Sequence, residues 1–251
     1  MNPPTKIIEP PKQWKPQAAF IAPFAAYMLV SSLVIAIWER VDIQLITDQS
    51  PAASLAMVII RLASILVLFA WGFTYIKKSF PFRISAIAFS TGVFGAVLWI
   101  GLCRLNLESG ILSILNLSSD SLGTREAVNP WELFGSDSTL HLFLILRFTL
   151  LVAAVPIAEE LFLRGFLLRY LRDTEWTNLP LESLMGSAIG ITAIYGIVSH
   201  PTEWIAAAIW FSMISVLMLR TKNFWDCVIA HSITNALLGA YIVWFEDWRL
   251  W

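Results

Sequence analysis

The stretch Ala158-Glu159-Glu160-Leu161-Phe162-Leu163-Arg164-Gly165 sets two adjacent carboxylates and a guanidinium inside an apolar run. Glu160 and Arg164 stand four apart, so on a helix they share a face and can pair. Glu159 is turned away by about 100° and has no partner on its own helix. One carboxylate is anchored and its neighbour is free, which suits a base held in a defined site. The plainer alternative is an ion pair closing a helix end, but apart from Arg164 itself Leu161–Leu168 stays apolar. A second cluster, His231-Ser232-Ile233-Thr234-Asn235, puts an imidazole and a carboxamide on one helical face, with Cys227 one turn earlier. By itself that pair could equally be interhelical hydrogen-bond glue. A third feature is His200, just before Pro201 at a break between two apolar runs; its plain reading is a surface histidine. Together one Glu, two His and one Asn are equipped for general acid–base work. No Ser or Cys is needed as nucleophile, since neither Ser232 nor Cys227 has an evident base on its own helix.

The elements that must position these groups follow from composition. Of 251 residues, 57% are hydrophobic and 14% charged, against about 25% charged in soluble domains. A soluble globule could not hide that much apolar surface, so the expected fold class is all-α, a polytopic membrane helical bundle. Seven runs are near the roughly 20 residues a span requires: Ala18–Trp38, Ala52–Ile76, Ile84–Cys103, Thr139–Tyr170, Ser183–Ser199, Trp204–Leu219 and Cys227–Phe245. The first lacks a small-residue cleavage site and is too long for a signal-peptide core, so it reads as a retained anchor. The whole chain, 1–251, reads as one integral membrane domain with residues 1–17 as a tail. Alternate connecting segments carry ten Lys and Arg and the opposite ones four, which predicts a cytoplasmic N-terminus and an outside C-terminus. Many of the twelve Trp, including Trp14, Trp131, Trp176 and Trp225, stand at run ends, as in an interfacial belt. The net charge of −1, with no basic block, argues against nucleic acid as a partner. Segment Arg104–Pro130 has room for a short surface helix, and Gly186 and Gly190 hint at close packing in the fifth run.

Depth brings the clusters together. Counted from Arg169 and Arg172, Glu159 lies roughly 15–20 Å into the membrane; counted from Lys222, His231 lies about 14 Å in and Asn235 about 20 Å. The fifth and sixth runs are short for a hydrocarbon core of about 30 Å. Their turn at His200–Glu203 is therefore expected to stop inside protein, where irregular backbone is tolerated. That would lower His200 toward Glu159. An ionisable group at such depth costs about 2.5–3.5 kcal/mol on insertion scales and calls for a function.

Glu159-Glu160-x-x-x-Arg164, a His on the next helix, then His231-x-x-x-Asn235 resembles the CPBP family, the CAAX-protease and bacteriocin-processing (Abi-type) intramembrane proteases. The likeness spans Arg147 to Trp251, a protease-like core at 147–251. Val155-Pro156-Ile157-Ala158-Glu159-Glu160-Leu161-Phe162, Arg220-Thr221-Lys222-Asn223-Phe224-Trp225, Ala230-His231 and the terminal Trp248-Arg249-Leu250-Trp251 are similar to the CAAX prenyl protease-related branch found with bacterial exosortase systems. One departure stands out: the family's second motif is FxxxH, yet Gly196 stands four before His200, with Tyr195 one position earlier.

The resemblance implies an intramembrane endopeptidase of a bacterial inner membrane, cutting a membrane-associated, lipidated or exosortase-linked peptide or protein. Glu159, helped by His200, would take the proton of the attacking water; His231 and Asn235 would donate to the oxyanion; Glu160 and Arg164 would hold the helix in register. Zinc is the cofactor alternative, because Glu159, His200 and His231 could leave one open metal position. With no HExxH motif, the metal-free carboxylate mechanism is favoured. Two other classes remain open from sequence: a proton- or ion-coupled transporter, and a non-catalytic binding or immunity protein on the same fold.

Overall fold

A computed structural model describes residues 14–41, 50–118, 128–135 and 138–250. Most of the expected N-terminal tail and the middle of the 104–130 segment lie outside the described residues. The described chain is helical: α1 (Trp14–Val41), α2 (Pro51–Ser79), α3 (Ala86–Leu105), the short α4 (Leu107–Ile114) and α5 (Pro130–Phe134), α6 (Ser138–Tyr170), α7 (Ser187–Ser199), α8 (Trp204–Thr221) and α9 (Phe224–Phe245). Six of them, α1, α2, α3, α6, α8 and α9, are long and apolar enough to cross a membrane. The chain is an integral, multi-pass membrane protein.

The fifth expected span is shorter than its apolar run. Leu181–Ser183 forms a 3-10 turn, and α7 starts only at Ser187, leaving 13 residues. That is about 20 Å of helix, well under a bilayer core. The turn after α7 is covered at its α8 end. Glu203 is buried, and the buried Glu108 of α4 accepts a hydrogen bond from the backbone N–H of Ile205 at 3.1 Å. The short surface helix read in segment 104–130 is thus a lid on the α7–α8 turn.

Described connectors gather at two ends of the bundle. At one end Asp226 accepts from the Ser85 N–H and hydroxyl, both at 2.8 Å. There too Trp225 donates through Nε1 to the Phe80 carbonyl and Asn223 donates to the Arg83 carbonyl. At the other end Arg104 donates to Tyr241, and Trp131 packs on Trp248. Asn223 also caps α9 by accepting from the Trp225 N–H, and Ser50 caps α2 through the Ala53 N–H. Such caps satisfy donors a helix start leaves open.

Trp14, Trp71, Trp131 and Trp244 are exposed, as a belt requires, whereas Trp176 and Trp225 are buried in the basic end. Close helix approach falls at glycines other than the expected Gly186 and Gly190, beside which a Cβ would meet nothing within 4 Å. At Gly92 and Gly95 of α3 a Cβ would lie 2.7–2.8 Å from α9 and α8 atoms, so these residues let α3 press against the helices that carry the site.

Candidate active site

The helix bearing the two carboxylates is not uniform. Val155–Glu160 is α-helical, but Leu150–Ala154 before it and Leu161–Leu167 after it are wide π-turns. Such turns occur often at functional sites. The first has a local cause. In π register the Val155 N–H donates to Leu150, and the donor for the Leu151 carbonyl would be residue 156. Residue 156 is proline, which has no N–H. Asn235 of α9 supplies the missing donor, its Nδ2 lying 2.8 Å from the Leu151 oxygen. The carboxamide singled out in the sequence thus ties α9 to the turn just before Glu159.

Glu160 and Arg164 pair as their spacing predicts, at 2.8–2.9 Å, with both side chains fully buried. Arg164 continues across to α8, donating to the Phe211 carbonyl at 3.3 Å and the Ser215 hydroxyl at 3.4 Å. Ser215 in turn meets Thr192 of α7 at 2.7 Å. The pair therefore locks three helices, beyond keeping its own in register. Glu160 has a further partner in His231, whose Nδ1 lies 3.1 Å away. A carboxylate on Nδ1 fixes the ring's orientation and directs Nε2 to the opposite side.

On that opposite side is Glu159. Its Oε2 is 3.7 Å from His231 Nε2, and its Oε1 accepts a hydrogen bond from the Tyr195 hydroxyl at 2.6 Å. Glu159 and His231 are 6% and 4% exposed, so this polar contact sits inside the bundle. Aromatic rings wall it: Phe24 of α1 stacks on Phe162 at 4.6 Å and lies 6.3 Å from Tyr195, and Trp210 meets the His231 ring edge-on at 4.7 Å.

His200 caps α7. Its Nδ1 is 2.9 Å from the Ser199 hydroxyl, and its ring lies against Trp99 at 5.4 Å and Phe211 at 5.8 Å. Phe211 also packs on Tyr195 and Trp210, so His200 belongs to the same aromatic cluster as the other site residues. From α7, however, the group that hydrogen-bonds Glu159 is Tyr195. Sequence reading noted Tyr195 only as an aromatic displaced from the FxxxH position. The displacement has a packing cause. A Cβ at Gly196 would lie 2.7 Å from the Phe211 ring and 2.9 Å from the Ala207 carbonyl, so the α7–α8 contact leaves that position no room for a side chain.

Among the described residues no three His, Cys, Asp or Glu side chains group as a metal-ligand set. Glu159 and His231 offer two donors, and the second carboxylate, Glu160, is already shared by Arg164 and His231 Nδ1. The donor set as placed does not fit a zinc site.

The chemistry available is that of a buried carboxylate facing an imidazole, each oriented by its own hydrogen-bond partner. Residues 141–237 match the family model described as type II CAAX prenyl endopeptidase, Rce1-like. The matched stretch holds Glu159, Glu160, Arg164, Tyr195, His200, His231 and Asn235. Neither the curated proteins nor the solved structures give a match. Residues 141–237 of this membrane chain are thus similar to the CAAX-protease family, whose members are peptide hydrolases.

Proposed function

We propose that this protein is an intramembrane endopeptidase in which Glu159 activates the attacking water. The observation that carries the reading is the Glu159 carboxylate set between the Tyr195 hydroxyl at 2.6 Å and His231 Nε2 at 3.7 Å, inside the bundle. Glu159 takes a proton as the water oxygen bonds to the scissile carbonyl carbon. Such general-base help is worth about 10²–10⁴-fold. The resulting oxyanion takes its stabilisation from His231, whose Nδ1 is held by Glu160 and whose Nε2 faces the reacting centre. Collapse breaks the C–N bond, and the proton held by Glu159 passes to the leaving amine. His200 is assigned help to Glu159 in moving that proton, from its place on the Phe211 ring beside Tyr195. Asn235 is assigned to holding the Glu159 segment through the Leu151 carbonyl.

The substrate is a peptide or protein segment held at the membrane, and lipidated or exosortase-linked chains are the first to test. The end carrying Lys78, Arg83, Arg169 and Lys222 is taken to face the cytoplasm. The test compares the membrane peptidome of cells with wild-type protein, with the Glu159→Gln variant, and without either. Cleavage products are expected only with the wild type, while the variant folds normally in detergent. Products retained by Glu159→Gln remove it as the base.

A further inference from the structure

At the basic end of the bundle, away from Glu159, lies a cavity of about 470 Å³. The buried Arg169 forms part of its wall. The guanidinium donates to the carbonyls of Gly165 and Thr177, both at 3.0 Å, and sits 5.5–5.8 Å from the rings of Phe20, Phe80 and Trp176. All of these are neutral. Its Nε–H is buried without a hydrogen-bond partner, and no carboxylate pairs with it among the described residues. Carbonyl dipoles and ring faces soften a buried charge but do not cancel it, and a buried cation without a counterion is costly. The same cavity is lined by Lys78, Arg83 and Lys222, with Glu182 the single acidic residue in its lining. Four cations therefore surround a space that a compensating anion would fill. A guanidinium fork and lysine ammonium groups together suit phosphate oxygens.

We propose that this cavity binds a phosphate group, presented by the headgroup of an anionic lipid in the adjoining leaflet. The location favours lipid as the source. The cavity opens where membrane-spanning helices end, at the depth of headgroups, and basic pockets between such helices recognise anionic lipids. This site is independent of the protease reading.

The test uses full-length protein in phosphatidylcholine nanodiscs, with thermal unfolding as readout. Phosphatidylglycerol is added in one arm and inorganic phosphate in the other. A saturable rise in midpoint is expected with phosphatidylglycerol. Replacing the rim cations together, Lys78→Gln, Arg83→Gln and Lys222→Gln, is expected to raise the half-saturating lipid fraction roughly fivefold per cation. A rise with inorganic phosphate alone keeps the phosphate site but makes the free anion its source. No rise in either arm overturns the proposal, as does an undiminished rise in the triple variant.

Discussion

Glu160 offers the sharpest test of how the site is held. Its carboxylate binds Arg164 through both oxygens and also orients His231, and neither Glu160 nor Arg164 has any solvent exposure. Glu160→Gln leaves a buried guanidinium without its charge partner, a loss of about 3–5 kcal/mol. Arg164→Met should cost a similar amount by stranding the carboxylate. Domains of 150–250 residues shift by about 2–4 °C per kcal/mol, so each single variant should fall by roughly 6–20 °C in unfolding midpoint. The double variant Glu160→Gln, Arg164→Met strands neither charge and should lose less than the sum of the two, with a coupling of a few kcal/mol. The assay is thermal unfolding in detergent of the wild type, both singles and the double. Below its own midpoint, Glu160→Gln should still cleave poorly, because a glutamine accepts either imidazole tautomer and no longer directs Nε2. Additive losses, or single variants as stable as wild type, would refute the idea that this pair anchors the site.

Three further outcomes follow from the same geometry. Tyr195→Phe removes one hydrogen bond to a charged acceptor, worth about 1.5–3 kcal/mol; turnover should fall at least tenfold and the unfolding midpoint by roughly 3–12 °C. Gly196→Ala forces a Cβ to within 2.7 Å of the Phe211 ring; overpacking of this kind costs about 1–3 kcal/mol, and the loss should appear in detergent unfolding. Beyond the last span, hydrogen bonds from Arg249 hold the Asp247 carboxyl below its ordinary value of 3.8. Its contribution to stability is therefore full above that ordinary value and is lost as pH falls through the depressed one. Asp247→Asn should flatten that acid limb in unfolding measured against pH.

What the sequence discloses depends on whether the partner is near in the chain. The Glu160–Arg164 pair follows from helical spacing alone, and the spans follow from apolar runs. The shortening of α7 is local too, since Pro180 and the turn at Leu181–Ser183 hold the chain out of helix before Ser187. The Tyr195–Glu159 bond was not legible, because it depends on how α7 is rotated where it packs on α8. Gly196 sets that rotation by admitting Phe211, a residue fifteen positions on. The glycine pattern misled for the same reason: Gly186 and Gly190 have the spacing of a packing motif, but a Cβ there would meet nothing within 4 Å among the described residues, while Gly92 and Gly95 lie against α9 and α8.

The bond from Asn235 to the Leu151 carbonyl has an asymmetric consequence. Its acceptor is a main-chain atom, so residue 151 can be exchanged for almost any other apolar side chain without breaking the link. Its donor is a side chain, so nearly every exchange at 235 cuts it. Restoring a backbone N–H at 156, by Pro156→Ala, would hand the carbonyl a rival donor and free α9 to slide. A proline three residues before Glu159 thereby makes one helix dependent on another.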